Sequence, residues 1–330
     1  MKQSISTLED LPDELFYEIF EYISAEDLYD SFYDLNIRFR SILTSLRNLH
    51  GEITYEKQVQ SKAFDFFGSR ITMLKMNGVD TIDLSRFSSV RSLRLYNEPN
   101  RIQCEWIKRL PHLEYLYVSR HLGEHFYYSF SLSFFVFTNS FPSLRNCQLN
   151  LIVFKDNQRW TLVPSLRTLN ICIDDPRVYR QILHTCPSLV YFKLQIAKHF
   201  VRLPEICSDC HHLSLRQFDL YLNHTTLSCC EIIDWFVSTV PNLICFRVQG
   251  SPFDANYINI DSLGTILHHR LSKLRQFHLE MAIVEFIALD ISDNNDNKRI
   301  RKIHPLFNSI QMYPSTENAP ARLIIDSMIS

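Results

Sequence analysis

The sequence lacks the short motifs that mark the common classes of enzyme. Its 330 residues contain no P-loop, no Gly-x-Gly-x-x-Gly fingerprint, no Gly-x-Ser-x-Gly elbow and no His-Glu-x-x-His zinc motif. Glycine is scarce, at six residues. We therefore predict a non-catalytic protein without a cofactor. The alternative is an enzyme whose histidines and carboxylates converge only in the folded chain.

The sequence also lacks the features of a membrane or secreted protein. The first ten residues have no apolar core after their single Lys, and the longest apolar run, 126–137, is much shorter than the roughly 20 residues of a membrane-spanning helix. A net charge of −2 indicates neither nucleic-acid nor membrane binding. Nine cysteines at irregular spacing favour reduced, buried thiols. We predict a cytoplasmic protein.

Residues 8–49 carry the signals of three short helices. Pro12 suits the first helical position, and Asp13 would follow it at the positive end of the helix dipole. Ser24 and Asp27 have the spacing of a capping box, which predicts a second helix, and Gly51 is the predicted stop of a third. The apolar residues at helical spacing are Leu15, Ile19, Phe20 and Ile23, then Leu28 and Phe32, then Leu35, Phe39, Ile42, Leu43 and Leu46. These apolar faces exceed what three short helices need, which predicts a partner.

This segment resembles the F-box in four features and in their order. They are Leu11-Pro12-Asp13-Glu14-Leu15, Ile19-Phe20, Asp27-Leu28 and Arg38-Phe39-Arg40, although Phe39 replaces the more usual Trp and residues 34–36 depart from the family pattern. The alternative is a small helical domain with a coincidental LPDEL. The resemblance implies docking on a Skp adaptor through Leu11, Pro12, Leu15, Ile19, Phe20, Leu28 and Leu35.

One phrase, often Pro-x-Leu followed by alternating apolar residues, recurs nine times after residue 70. Its first apolar residues fall at 71, 90, 113, 144, 166, 189, 215, 243 and 274. Such periods with an L-x-x-L-x-L core are typical of leucine-rich repeats. We therefore predict an α/β fold, in which the three-helix F-box precedes an irregular leucine-rich-repeat solenoid with a parallel strand face. A globular domain with similar strands by chance is the alternative.

These patterns divide the chain into four predicted segments: an F-box at 1–50, a helical junction at 51–70, the repeats at 71–290, and a polar loop with a C-terminal cap at 291–330. The polar run 292–302 contains the basic residues 298–302, for which a nuclear address is the alternative to a solvated loop. A nuclear address would place the protein in the nucleus as well as in the cytoplasm. Residues 322–325 are predicted to form a closing strand.

A single stretch of the chain could carry a metal or haem. Cys207, Cys210 and His211 match C-x-x-C-H, and His212 and the nearby Cys229 add further ligand types. The stretch directly precedes the repeat at 215, however, where other copies have an ordinary repeat start. We therefore interpret it as repeat packing and predict no metal site.

Residues between the buried positions of the predicted strands would line an open face. Their chemistry changes from repeat to repeat, which favours a protein or peptide target over a regular polymer. The target-binding candidates are Arg94, Tyr96, Tyr115, Tyr117, Lys193, Asp219, Tyr221, Arg247 and His278.

The resemblance to F-box proteins with repeats implies a role in ubiquitination. Such proteins are substrate receptors of SCF ubiquitin ligases: the F-box binds the Skp adaptor, and through it a cullin scaffold, while the repeats hold the target. The expected function is therefore substrate recognition for ubiquitination of an unidentified protein. The alternative is a non-catalytic interaction scaffold that acts outside a ligase.

Overall fold

The structure of the protein is a computed structural model. It describes residues 8, 11–54, 61–77, 84–119, 130–152, 159–197, 202–204, 211–222, 227–253, 260–283, 309–313 and 321–328. The chain forms two compact units, residues 1–136 with 140–144 and residues 137–139 with 145–330. The predicted boundary at residue 50 is not a boundary between units, because the N-terminal helices share the first unit with four strands.

The described helices follow in chain order. They are α1 (Asp13–Phe20), α2 (Ala25–Phe32), α3 (Ile37–Ser45), α4 (Lys62–Phe67), α5 (Arg101–Ile107), α6 (Phe130–Phe137), α7 (Arg177–Thr185), α8 (Cys229–Val237) and α9 (Ile260–Arg270). Among the residues that the structure describes, no helix has both the length and the apolar character needed to cross a bilayer.

The described strands number twelve. They are β1 (Leu49–Ile53), β2 (Ile71–Met76), β3 (Ser92–Leu95), β4 (Tyr115–Val118), β5 (Asn146–Ile152), β6 (Thr168–Ile173), β7 (Tyr191–Ile196), β8 (Gln217–Leu222), β9 (Cys245–Phe253), β10 (Gln276–Ile283), β11 (Ser309–Tyr313) and β12 (Ala321–Met328). Each of the nine recurring phrases contains one strand, β2 to β10, as predicted.

Strands pair in parallel within each unit, in the order of the chain. The first unit pairs β1 to β4 in this way, and the second pairs β5 to β10. In the second unit β12 then runs antiparallel to β10, and β11 runs antiparallel to β12. The predicted closing strand at 322–325 is confirmed as part of β12, whereas strand β11 was not predicted. The chain is therefore α/β with largely parallel sheets.

The predicted stop of the third helix at Gly51 is wrong. Helix α3 ends at Ser45, and Asn48, with a φ of 60°, supplies the left-handed turn beyond it. Gly51 instead lies inside β1, where a Cβ would stand 3.1 Å from both Ile71 Cδ1 and Phe64 Cε1. The predicted helical junction at 51–70 is therefore part strand and part helix.

One face of the second sheet is packed with aromatic rings. Phe192, Phe218, Phe246 and Phe277 occupy register partners on β7 to β10, with neighbouring ring centroids 5.6, 5.6 and 5.9 Å apart. Tyr179 of α7 lies 5.6 Å from the Phe218 ring, so this helix covers the aromatic face. Because each strand lends one side to this shared core, the other side remains for polar residues.

Candidate functional site

Four phenylalanine rings form the core of the three N-terminal helices. Phe16 lies 5.5 Å from Phe20 and 5.0 Å from Phe39, and Phe32 lies 4.8 Å from Phe20 and 5.5 Å from Phe39. The predicted apolar stripe of α1 is therefore divided. Of its members Phe20 faces inward, beside Phe16, which the prediction did not include, whereas Leu15 and Ile19 face outward.

Five exposed apolar side chains lie on the three helices or in the turns that follow α1 and α2. The exposed fraction is 41% for Leu15, 45% for Ile19, 58% for Leu35, 86% for Tyr22 and 86% for Ile37. We call these five side chains the helical apolar surface. Tyr22 and Ile37 were missed by the sequence reasoning, since both lie outside the stripes that it assigned. Tyr22 is three residues after Ile19, and this spacing could have revealed it.

The predicted adaptor contacts separate into two groups. Leu11 is half-buried and Pro12 exposed, and they join Leu15, Ile19 and Leu35 as accessible residues. Phe20 and Leu28 are buried, at 1% and 0% exposure, so their side chains support the helices from inside. The reason is helical geometry, because the residue that faces a neighbouring helix is decided by how the helices cross.

Arg38 fixes the LPDEL segment against α3. Its Nη2 donates to the Leu11 carbonyl at 2.5 Å and to Asp13 Oδ1 at 2.6 Å, and its Nε donates to the same carboxylate oxygen at 2.8 Å. Pro12 is the N-cap residue of α1 rather than its first helical residue. Ser24 caps α2, accepting from the Asp27 N–H at 3.2 Å, but the second bond of the predicted capping box differs, because the Asp27 carboxylate accepts from the Ser24 hydroxyl at 2.7 Å.

Arg70 joins the helices to the sheet of the first unit. Its Nη1 donates to the carbonyls of Leu43 and Thr44 at 2.8 and 2.7 Å, which have no further turn of α3 to bind. Its guanidinium also lies 4.7 Å from the Phe66 ring and 4.9 Å from the Phe67 ring. Through these contacts Arg70 holds the end of α3 against residues 66 and 67.

The open face of the first sheet carries four of the predicted target-binding residues. Arg94 on β3 is the register partner of Tyr117 on β4, and Tyr115 lies two residues before Tyr117 on the same face. Both tyrosines are exposed, as is Arg94, whereas Tyr96 follows β3 directly and is half-buried. This part of the sheet presents phenol rings and a guanidinium to solvent.

On the open face of the strands of the second unit, several polar side chains contact one another. The ammonium of Lys193 lies 4.6 Å from the centre of the Tyr221 ring. Neighbouring polar residues pair as well, since the Asn170 amide donates to Gln148 at 2.8 Å. Arg247 is exposed, and His278 is half-buried with its Nε2 3.9 Å from a carboxylate oxygen of Glu280.

Asp219 departs from the prediction that it is available to a target. Its exposed fraction is 3%, and one carboxylate oxygen accepts from the Tyr191 hydroxyl at 2.7 Å. Burial and this bond to a negative group raise the pKa of Tyr191. Asp219 is therefore buried within the second open face and is not accessible to a target.

The stretch considered for metal or haem is only partly described. Cys207 and Cys210 lie outside the described residues, as do the basic residues 298–302. His212 is buried, with Nε2 2.8 Å from the Cys186 carbonyl and Nδ1 accepting from the Leu215 N–H at 3.2 Å. Both ring nitrogens are thus used in packing successive repeats, and burial lowers the pKa of His212.

The described cysteines agree with the prediction of reduced, buried thiols. Seven of them are buried and free of disulfide bonds. Burial raises the pKa of Cys104 to about 12, so this thiol stays protonated and unreactive at neutral pH.

Comparison with known proteins does not assign a family. No protein-family model matches the sequence, and no curated protein matches it.

Proposed function

We propose that this chain is the substrate-recognition subunit of an SCF-type ubiquitin ligase, with no catalytic role of its own. The observation that carries the proposal is the helical apolar surface, which lies on the segment that resembles the F-box. Leu15, Ile19 and Leu35 belong both to that surface and to the residues that the resemblance assigns to the Skp adaptor. Several exposed apolar side chains within one short segment favour a protein partner.

The repeats supply the other half of the proposed function. Their open strand faces carry tyrosines, arginine and lysine, residue types that suit a protein target. A receptor of this kind would act by proximity, because holding the target on one scaffold raises the effective concentration of its lysines near the ubiquitin-loaded enzyme.

The test uses the full-length chain and a purified Skp adaptor. The double variant Leu11→Ala with Pro12→Ala should abolish the complex, since it removes the accessible residues that precede α1. Its circular dichroism and thermal transition should remain close to those of the wild type. Leu162→Ala is the matched control, because Leu162 is equally exposed as Leu35 at 58% but lies in the second unit. If the double variant still pulls down the adaptor as well as the wild type does, the proposal is wrong.

A scaffold outside a ligase would bind its partners without a cullin. Affinity purification from cells should therefore recover a cullin together with the adaptor. Proteins that are enriched only under proteasome inhibition would be the candidate substrates. Recovery of the adaptor without a cullin would favour the scaffold.

A further inference from the structure

Four side chains form one row across the open face of the first sheet. The register places Glu52 of β1 beside Lys75 of β2, Lys75 beside Arg94 of β3, and Arg94 beside Tyr117 of β4. Neighbouring strands lie only about 4.8 Å apart, so these four positions are next to one another in the row. Two positive charges are therefore adjacent in the middle of the row.

These two positive charges are not balanced equally. Lys75 has a carboxylate partner, with Nζ 3.7 Å from Glu52 Oε2. Arg91, near the start of β3, has one as well, with Nη1 3.2 Å from Glu114 Oε1. In the described part of the chain Arg94 has no carboxylate within ion-pair distance. Its positive charge also lies next to that of Lys75, and like charges at neighbouring strand positions repel each other.

A histidine lies on the same face as this row, on the strand furthest from Tyr117. His50 lies two residues before Glu52 on the same face, and burial together with nearby Lys75 lowers its pKa. The lowered pKa disfavours the charged form of this histidine. The positive charge of Arg94 faces solvent between Lys75, which is paired with Glu52, and Tyr117.

The tyrosines next to Arg94 are also without partners inside the described structure. Tyr115 is 47% exposed and Tyr117 is 37% exposed, and neither ring nor hydroxyl contacts another described side chain through a hydrogen bond or ring contact. Tyrosine and arginine are the residue types that contribute most at protein interfaces. We call Arg94, Tyr115 and Tyr117 the tyrosine-arginine patch.

We propose that the tyrosine-arginine patch binds an acidic side chain, Asp or Glu, in an extended segment of the target protein, an inference that rests on the proposed function for the role of that target. The carboxylate would accept two parallel hydrogen bonds from the Arg94 guanidinium, while neighbouring apolar or aromatic residues of the segment pack on Tyr115 and Tyr117.

Charge decides between this occupant and its competitors. A basic segment would bring more positive charge to Arg94 and Lys75, and a purely apolar segment would bury the Arg94 charge without a partner. A carboxylate neutralises Arg94 and also reduces its repulsion with Lys75. The patch therefore favours an acidic segment that has apolar neighbours.

The experiment pans a phage-displayed library of random linear peptides against the immobilised full-length chain. Recovered peptides should be enriched in Asp or Glu next to aromatic or aliphatic residues. Arg94→Ala should weaken the binding of a synthetic copy of these peptides about tenfold or more, because a charge-assisted bidentate pair is lost. Tyr117→Ala should weaken it as well, while the thermal transition of both variants stays unchanged.

The matched control is Arg91→Ala, which removes another exposed arginine side chain from outside the patch. It should leave peptide affinity within about twofold, as surface ion pairs contribute little. Arg94→Glu should bind poorly to the acidic peptide and regain binding when the peptide's acid is replaced by Lys. This reversal would show direct contact rather than a structural effect.

Several outcomes would overturn the proposal. They are recovery of neutral or basic peptides, binding that ignores Arg94, or binding only when a Ser, Thr or Tyr of the peptide is phosphorylated. Self-association of the chain that Arg94→Glu abolishes would identify a second copy as the occupant and would overturn it too. Peptide binding does not require the adaptor. A chain that binds acidic peptides through Arg94 but not the adaptor would therefore refute the proposed function alone.

Discussion

Replacing Ile37 by Ala tests most directly whether the helical apolar surface binds the proposed adaptor. Ile37 opens α3 and is 86% exposed, so nearly all of its side chain remains to be buried by a partner. It takes no part in the core of four phenylalanines. Its truncation should therefore weaken binding without changing the stability of the chain.

The expected size follows from the exposed fractions. Full burial of an Ile or Leu side chain stabilises by about 1.5–3 kcal/mol. With 86% of Ile37 still exposed, and because alanine keeps the Cβ methyl, Ile37→Ala should cost about 1–2 kcal/mol of binding free energy, or about a 5- to 30-fold rise in Kd. Leu15 is 41% exposed, so Leu15→Ala should cost about half as much, or about a 2- to 5-fold rise.

The assay is titration calorimetry of each full-length variant with the purified adaptor, next to a urea unfolding curve. Leu162→Ala is again the control, and its Kd should equal that of the wild type. The reasoning fails if Ile37→Ala binds as tightly as the wild type, or if Leu15→Ala is clearly the more damaging of the two. Either result would mean that the partner does not cover the surface in proportion to its exposure.

Three further predictions concern stability. Phe39→Ala should destabilise the helices by about 3–5 kcal/mol in urea unfolding, because it empties the centre of the phenylalanine cluster; a loss below about 1 kcal/mol would contradict this packing. Arg70→Met should lower the free energy of unfolding by about 1–3 kcal/mol, because two carbonyls at the end of α3 lose their donor, whereas Arg47→Met, at an exposed arginine nearby, should not. Wild-type stability should fall as the pH drops below about 6.5, since His212 has a lowered pKa and the unfolded chain binds its proton first. His212→Gln should flatten this dependence, and an unchanged slope would exclude His212 as its source.

The recurring phrases predict the strands well because the information is local. A residue such as Leu220 of β8 is buried and Tyr221 is not, and this alternation follows from the geometry of an extended chain. The same local chemistry places the cap at Ser24. Within each unit the order of strands then follows the order of the chain, since each repeat adds next to the previous one.

Other features depend on contacts that the local sequence does not record. Glycine is a residue type that often ends a helix, and this predicted Gly51 as a helix stop. In the structure Gly51 lies in a strand, where Ile71 and Phe64 leave little room for a side chain. Asp219 has the position of an open-face residue, but it is buried and its carboxylate accepts a hydrogen bond from the Tyr191 hydroxyl on the neighbouring strand. Each case turns on a neighbour from another element.

By itself, the sequence determined the three N-terminal helices, the strands of the nine recurring phrases, which residues alternate along them, and that the described cysteines would be buried. Only the tertiary structure decided which apolar side chains remain exposed. Phe16 and Leu15 are adjacent and both apolar, and the crossing of α1 with α3 buries one and exposes the other. The structure likewise gave Lys75 a carboxylate and left Arg94 without one among the described residues, because ion pairs depend on which strands become neighbours.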